Sequence, residues 1–82
     1  MLSAADTDRF DGVIADVLDL PREAVTQELS ALTCAEWDSA NHLRLVFALE
    51  DAFDVRFSID EIEAATSRSA LLSLLAEKRA QD

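Results

Sequence analysis

Few residues in this 82-residue chain are of types that could do chemistry at a fixed spacing. Asp6, Asp8, Asp11 and Gly12 cluster closely enough to invite a calcium-loop reading. The register argues against it, because Phe10 stands where the third oxygen ligand belongs and Gly12 falls one place late. Val13 and Ile14 also continue straight into a helical pattern, so no metal site is expected. The sole histidine, His42, follows the sole cysteine, Cys34, closely enough for a base and a thiol nucleophile to be imagined. No oxyanion hole accompanies that pair, and a domain this small leaves little room for an enclosed substrate pocket. His42 is expected to face solvent in the first turn of a helix and Cys34 to be a small, semi-apolar loop residue. The chain therefore does not read as an enzyme.

Trp37-Asp38-Ser39 is more informative. Asp38 can cap a helix whose first residue is Ser39, where free backbone N–H groups and the positive end of the helix dipole gather. A phosphate ester on Ser39 would sit in a favourable field. Serine at a helix start is common, however, and taken alone is more often a simple part of the cap.

The elements that must position Ser39 follow from periodicity. Phe10, Val13, Ile14, Val17 and Leu18 recur with the spacing of an amphipathic helix opened by Asp6 or Thr7, with Asp8, Asp11 and Asp16 on its wet side. Pro21 disfavours helical geometry at Leu20 and stops this helix near Asp19. Residues 19–38 show no sustained period, although Pro21 can start one short turn. Val25, Leu29, Leu32 and Trp37 are too apolar for a solvated linker, which predicts a long, ordered connection lying across the helices. The second helix runs from Ser39 to about Phe53. Leu43, Leu45, Val46, Phe47, Leu49 and Phe53 cover more than half its circumference and predict a central helix packed on several neighbours. Ser58 and Glu61 form a capping-box pattern that starts a short third helix with Ile59 and Ile62 inward. Thr66 or Ser67 caps a fourth, apolar at Leu71, Leu72, Leu74 and Leu75, with Lys78 and Arg79 at the end where cations suit the dipole. The expected fold is all-α: one domain over residues 1–82, a small four-helix bundle with three main helices, a short third one and a long loop between helices one and two.

Composition narrows the class further. Half the residues are apolar and 29% are charged, which suits a globular chain. One Gly and one Pro leave little turn chemistry for a hairpin-rich β fold. A single Cys cannot build an intramolecular disulfide framework. No apolar run approaches the roughly 18 residues of a membrane span. The first ten residues carry Asp6 and Asp8 and no basic leader, so the cytoplasm is the expected compartment. Seventeen acids against seven bases give a net charge of −10, spread over both halves of the chain. Such a field repels nucleic acid and anionic lipid and favours partners with basic patches.

The amphipathic first helix, the long loop, the Asp38-Ser39 pair opening helix two and the stretch LRLVFALEDAFDVRFSIDEI from Leu43 to Ile62 together resemble the acyl and peptidyl carrier protein family over nearly the whole chain. The resemblance implies a four-helix carrier domain, monomeric and not itself catalytic. It places the attachment of 4′-phosphopantetheine, taken from coenzyme A by a separate phosphopantetheinyl transferase, on Ser39, with Asp38 as its neighbour in the motif. The arm's thiol would then hold an acyl or aminoacyl group as a thioester. Implied partners are that transferase, a loading enzyme, and downstream transferases or synthases with basic docking patches. Ala40, Leu43, Val46, Glu50, Asp51, Asp60 and Glu61 are the expected contacts, with at least one of Leu43 and Val46 belonging to the core. Ala40 departs from the family, which usually has Leu directly after the serine. That departure opens the alternative of a carrier-like interaction module that is never modified. Trp37, Asn41, His42 and Arg44 depart from the fatty-acid carriers and suggest a specialised biosynthetic pathway, polyketide or nonribosomal peptide synthesis among them.

Overall fold

The computed structural model describes residues 2–80, and within them four helices form one bundle. They are α1 (Ala4–Leu18), α2 (Ser39–Phe53), α3 (Ile59–Ala64) and α4 (Arg68–Ala80), with a single 3-10 turn at Arg22–Ala24. The all-helical expectation holds. No helix is long and apolar enough to cross a membrane among the described residues.

α1 begins earlier than its apolar stripe suggests. Ser3 is the N-cap, its hydroxyl accepting from the Asp6 N–H at 3.1 Å while the Asp6 carboxylate accepts from the Ser3 N–H at 3.2 Å. Asp6 is thus the third helical residue rather than the start, and the Ser3 N–H holds its carboxyl below the usual aspartate range. At the other end the chain turns through the left-handed conformation at Asp19, with φ 55°, and Leu20 N–H bonds to Ala15 O at 2.9 Å. α2 closes the same way at Asp54, with φ 54°, and Val55 N–H on Glu50 O at 3.2 Å. Aspartate fills the role glycine usually takes, its short polar side chain tolerating this region better than most.

Phe10, Ile14 and Leu18 of α1 meet Leu45, Val46, Leu49 and Phe53 of α2 and Leu71 and Leu75 of α4, all inaccessible or nearly so. Asp11 corrects the sequence reading. Placed on the wet side by periodicity, it is only 7% exposed, because Arg68 reaches it with two bonds of 2.7 and 2.9 Å. Arg22 adds a third cationic contact at 3.6 Å. A buried carboxylate is tolerable only when paired and hydrogen-bonded, and this one is.

The 19–38 connection is ordered, as expected, and its anchors explain how. Ala31 N–H bonds to Thr66 O at 3.0 Å and Arg68 N–H to Leu29 O at 2.9 Å, a two-residue antiparallel bridge between the loop and the start of α4. Val25, Leu29, Cys34 and Trp37 then hang inward as core residues. Leu32 does not: it is 97% exposed at the loop's surface. Ser67, not Thr66, supplies the side-chain cap of α4, accepting from Ala70 N–H at 3.1 Å. Ser58 and Glu61 form the expected capping box at α3. Ile59 departs from expectation and is 73% exposed, because the cap turns the first residue of this short helix outward, while Ile62 packs on the core.

Candidate functional site

Five contacts fix the start of α2. Asp38 is the N-cap, its Oδ1 accepting from Asn41 N–H at 2.9 Å. The Asn41 side chain donates to Glu36 O at 2.7 Å and holds the last loop turn against the helix. Trp37 lies almost wholly buried beneath, its own N–H bonded to Cys34 O at 3.1 Å. Its indole N–H donates to His42 Nδ1 at 3.0 Å, and His42 Nε2 lies 2.6 Å from Ile62 O in α3. On top of this anchored base, Ser39 and Ala40 are exposed. The Asn41 N–H is already spent on Asp38, and Ser39 is the first residue of α2, at the positive end of its dipole.

Beside Ser39 runs an open groove of about 520 Å³, floored by Trp37, His42, Leu43 and Ile62 and edged by Asp38 and Glu63. A smaller one, about 360 Å³, lies at the far end of α2 between Phe47, Asp51 and Arg56. Only the first touches Ser39.

The surrounding residues divide differently from the sequence expectation. Ala40, Asp51 and Asp60 are exposed and Leu43 is 46% exposed, all available to a partner. Val46 is fully buried and belongs to the core, the fate expected for at least one of the pair. Glu50 is not free: its side chain is 10% exposed and its carboxylate turns inward to accept from Phe57 N–H at 2.8 Å. Glu61 is committed to the Ser58 cap and to Lys78 at 2.9 Å. The Ser58 N–H, and secondarily Lys78, hold its carboxyl below the usual glutamate range. Periodicity also missed exposed apolar groups. Phe47 is 56% exposed and, with Leu43, gives α2 an outward apolar strip that ran in the sequence as part of an all-round core pattern. Arg44 is exposed on the same stretch.

The alternative chemistries find no geometry. His42, expected to face solvent, is part-buried with both ring nitrogens engaged, neither by Cys34. Cys34 is buried, its thiol donating to Glu36 Oε1 at 3.4 Å. Asp6 caps α1 and Asp11 binds Arg68, so the acids at the start of the chain do not converge. No group of three or more potential metal ligands comes together among the described residues.

The fold is thus a small all-helical bundle that anchors the start of its second helix and leaves Ser39 exposed there. No family model matches the chain. An acyl carrier protein of Picosynechococcus sp. is 30% identical over 71 residues, covering 87% of this chain and 88% of that protein. A second, from Syntrophobacter fumaroxidans, is 31% identical over 68 residues, covering 83% and 84%. The chain belongs to the acyl carrier protein family.

Proposed function

We propose that this protein is a carrier that accepts 4′-phosphopantetheine on Ser39 and holds an acyl or aminoacyl cargo on it for delivery to partner enzymes. The observation that carries this is the exposed Ser39 hydroxyl on the first turn of α2, on a base fixed by Asp38, Asn41 and Trp37, in a chain of this family. The residues fit the group: Ser39 is exposed, and the groove beside it is lined in part by the apolar side chains of Ala31, Trp37, Leu43 and Ile62. When bound, the group supplies a thiol that holds the cargo as a thioester. What the chain itself contributes is position: Asp38 fixes the backbone at the attachment site, and the core beneath it keeps the serine from retreating.

Carriers work by brief visits to several enzymes, and tethering turns dilute cargo into a high local concentration once docked. An acidic chain steers such encounters toward basic patches. Asp51 and Asp60 are exposed and free to do so, with Leu43 and Phe47 as apolar contacts. The partners are a phosphopantetheinyl transferase, a loading enzyme and later transferases or synthases; the protein works as a cytoplasmic monomer that does no chemistry itself. Trp37 and Arg44 favour a specialised biosynthetic pathway.

A second reading has one observation behind it. Ala40 is exposed next to Ser39 and presents only a methyl group where a modifying enzyme would read a larger side chain. On that reading the fold is an interaction module that is not modified. Intact mass before and after incubation with coenzyme A, magnesium and a broad-specificity transferase separates the two. The carrier reading requires a gain of one phosphopantetheine that disappears in Ser39→Ala. No gain while a control carrier is modified, followed by a gain in Ala40→Leu, would establish the second.

A further inference from the structure

The chain's only tryptophan and only histidine bond to each other directly beneath the candidate attachment site. Their partners fix the protonation state. The indole Nε1–H of Trp37 can only donate, so His42 Nδ1, 3.0 Å away, must carry a lone pair. Ile62 O can only accept, so His42 Nε2, 2.6 Å away, must carry the proton. Both conditions hold together in one state, the neutral Nε2–H tautomer. In that state the ring joins three segments: the end of the 19–38 loop through Trp37, α2 through its own backbone, and α3 through Ile62. Ser39 lies one turn away on the same helix, and the groove beside it has Trp37, His42 and Ile62 as its floor.

Protonation at Nδ1 destroys this arrangement. It removes the acceptor of the Trp37 indole and sets two N–H donors against each other at hydrogen-bond distance. A cation–π contact does not offset the loss in this geometry. The ring planes are 28° apart with centroids 6.1 Å apart while the nitrogens are 3.0 Å apart, so the rings meet edge to edge and the imidazolium would not lie over the indole face. The positive end of α2 also opposes a second charge on a first-turn residue. The titratable groups around the ring are few. Asp38, from the loop side, is spent on the Asn41 N–H; Glu63 edges the groove from α3; Glu36 and Cys34 occupy each other behind Trp37. Carboxylates ordinarily titrate near pH 4, whereas histidine is the side chain that ordinarily changes charge between about pH 5 and 8.

We propose that His42 is a positioning residue for Ser39: a neutral bridge between the Trp37 loop and α3 whose protonation frees Trp37 and opens the floor of the groove beside the attachment site. Reaction at Ser39 is thereby linked to pH through a residue other than the attachment serine. The link to Ser39 loading rests on the carrier reading; the bridge itself does not.

The test uses the whole chain. Nitrogen chemical shifts of the imidazole at about pH 8 report the tautomer, and the Nε2–H form is expected. The emission maximum of Trp37 is then followed from about pH 8 to about pH 5.5, with far-UV circular dichroism alongside. The wild type should shift to the red with its helical signal intact. His42→Gln should not shift, because glutamine can donate and accept at the same two points without titrating. Last, the rate of phosphopantetheine transfer to Ser39 is measured for both proteins over the same range, and their ratio cancels the enzyme's own pH profile. That ratio should fall several-fold on acidification. In the transfer assay Trp37→Phe, which keeps an aromatic core group but removes the indole donor, should also lose the pH response and guards against a glutamine that does not bridge. An Nδ1–H tautomer or an equal shift in His42→Gln would each overturn the bridge, and a wild-type emission maximum that stays put would overturn its link to pH. A constant ratio would overturn its link to Ser39. If neither protein is modified at any pH, the carrier reading fails and the link with it, while the emission titration still decides the bridge.

Discussion

Removing the Asp11 carboxylate should cost this protein much of its stability, and the structure sets the scale. Asp11 and Arg68 keep side-chain exposures of 9% and 11% and share two bonds of 2.7 and 2.9 Å. Arg68 also lies 5.9 Å from the Phe10 ring centroid, so its guanidinium is enclosed by the core on one side. In Asp11→Ala that cation stays buried with its carboxylate gone, and breaking one partner of such a pair costs about 3–5 kcal/mol. A chain of this size is stable by only about 4–12 kcal/mol in total, so the variant should be near the edge of folding. With a urea slope of about 1 kcal/mol/M, its midpoint should fall by about 3 M or more. The double variant Asp11→Leu, Arg68→Met should recover most of the loss, because two well-packed apolar groups replace a pair whose desolvation roughly offsets its attraction. Urea melts followed by circular dichroism compare wild type, Asp11→Ala and the double variant. A loss below about 1 kcal/mol in Asp11→Ala, the value of an exposed pair, would mean that water reaches Arg68 and would refute the reasoning.

Other perturbations test separate parts. Asp38→Ala should cost about 1 kcal/mol through loss of the α2 cap, and should slow modification of Ser39 by more than this stability change explains, read from melts and loading rates together. Glu50→Ala should destabilise by about 1–3 kcal/mol, because it orphans the part-buried Phe57 N–H, and should leave association with a loading enzyme nearly unchanged. The joint reversal Asp51→Lys, Asp60→Lys should do the opposite, slowing association more at low salt than at high salt; equal rates at both salts would remove these acids from docking. Glu61, whose pKa is lowered by the Ser58 N–H and then by Lys78, should stabilise the fold above the usual glutamate value of 4.5 and lose that contribution as pH falls below it. The difference in urea midpoint between wild type and Glu61→Gln should therefore shrink between pH about 6 and about 3, and a constant difference would show that the charge is not what matters.

The bundle itself was legible because its signals are local. Apolar spacing, the Pro21 stop, the Asp38 cap and the Ser58–Glu61 box each act within a few residues, and α2 and α3 lie where they point. The Asp38 cap and the start of α2 at Ser39 were legible for the same reason. What escaped the sequence depends on partners far along the chain. Asp11 looks wet until Arg68, 57 residues later, is folded onto it. Glu50 looks like a docking acid until the turn after α2 brings Phe57 N–H to its carboxylate. His42 looks solvated until α3 offers Ile62 O, twenty residues on.

The misplaced residues run in two opposite directions, and together they redraw the surface. Polar groups expected outside, Asp11, Glu50 and His42, turn inward and are satisfied there. Apolar groups stay outside: Phe47 and Ile59, expected inside, at 56% and 73% exposure, and Leu43, expected at a docking surface, at 46%. Scattered exposed apolar residues need no special explanation, but two of these lie one turn apart on the helix that begins with Ser39. With Glu50 withdrawn, the outward face of α2 is Ala40, Leu43, Arg44, Phe47 and Asp51, a mixed strip rather than an acidic one. Docking on such a face would draw its grip from Leu43 and Phe47 and its steering from acids placed around them. Phe47→Ala should then weaken association about tenfold or more while costing well under the 3–5 kcal/mol of a buried Phe→Ala change. A stability loss in that larger range, with association unchanged, would return Phe47 to the core and leave Leu43 as the apolar contact on that face.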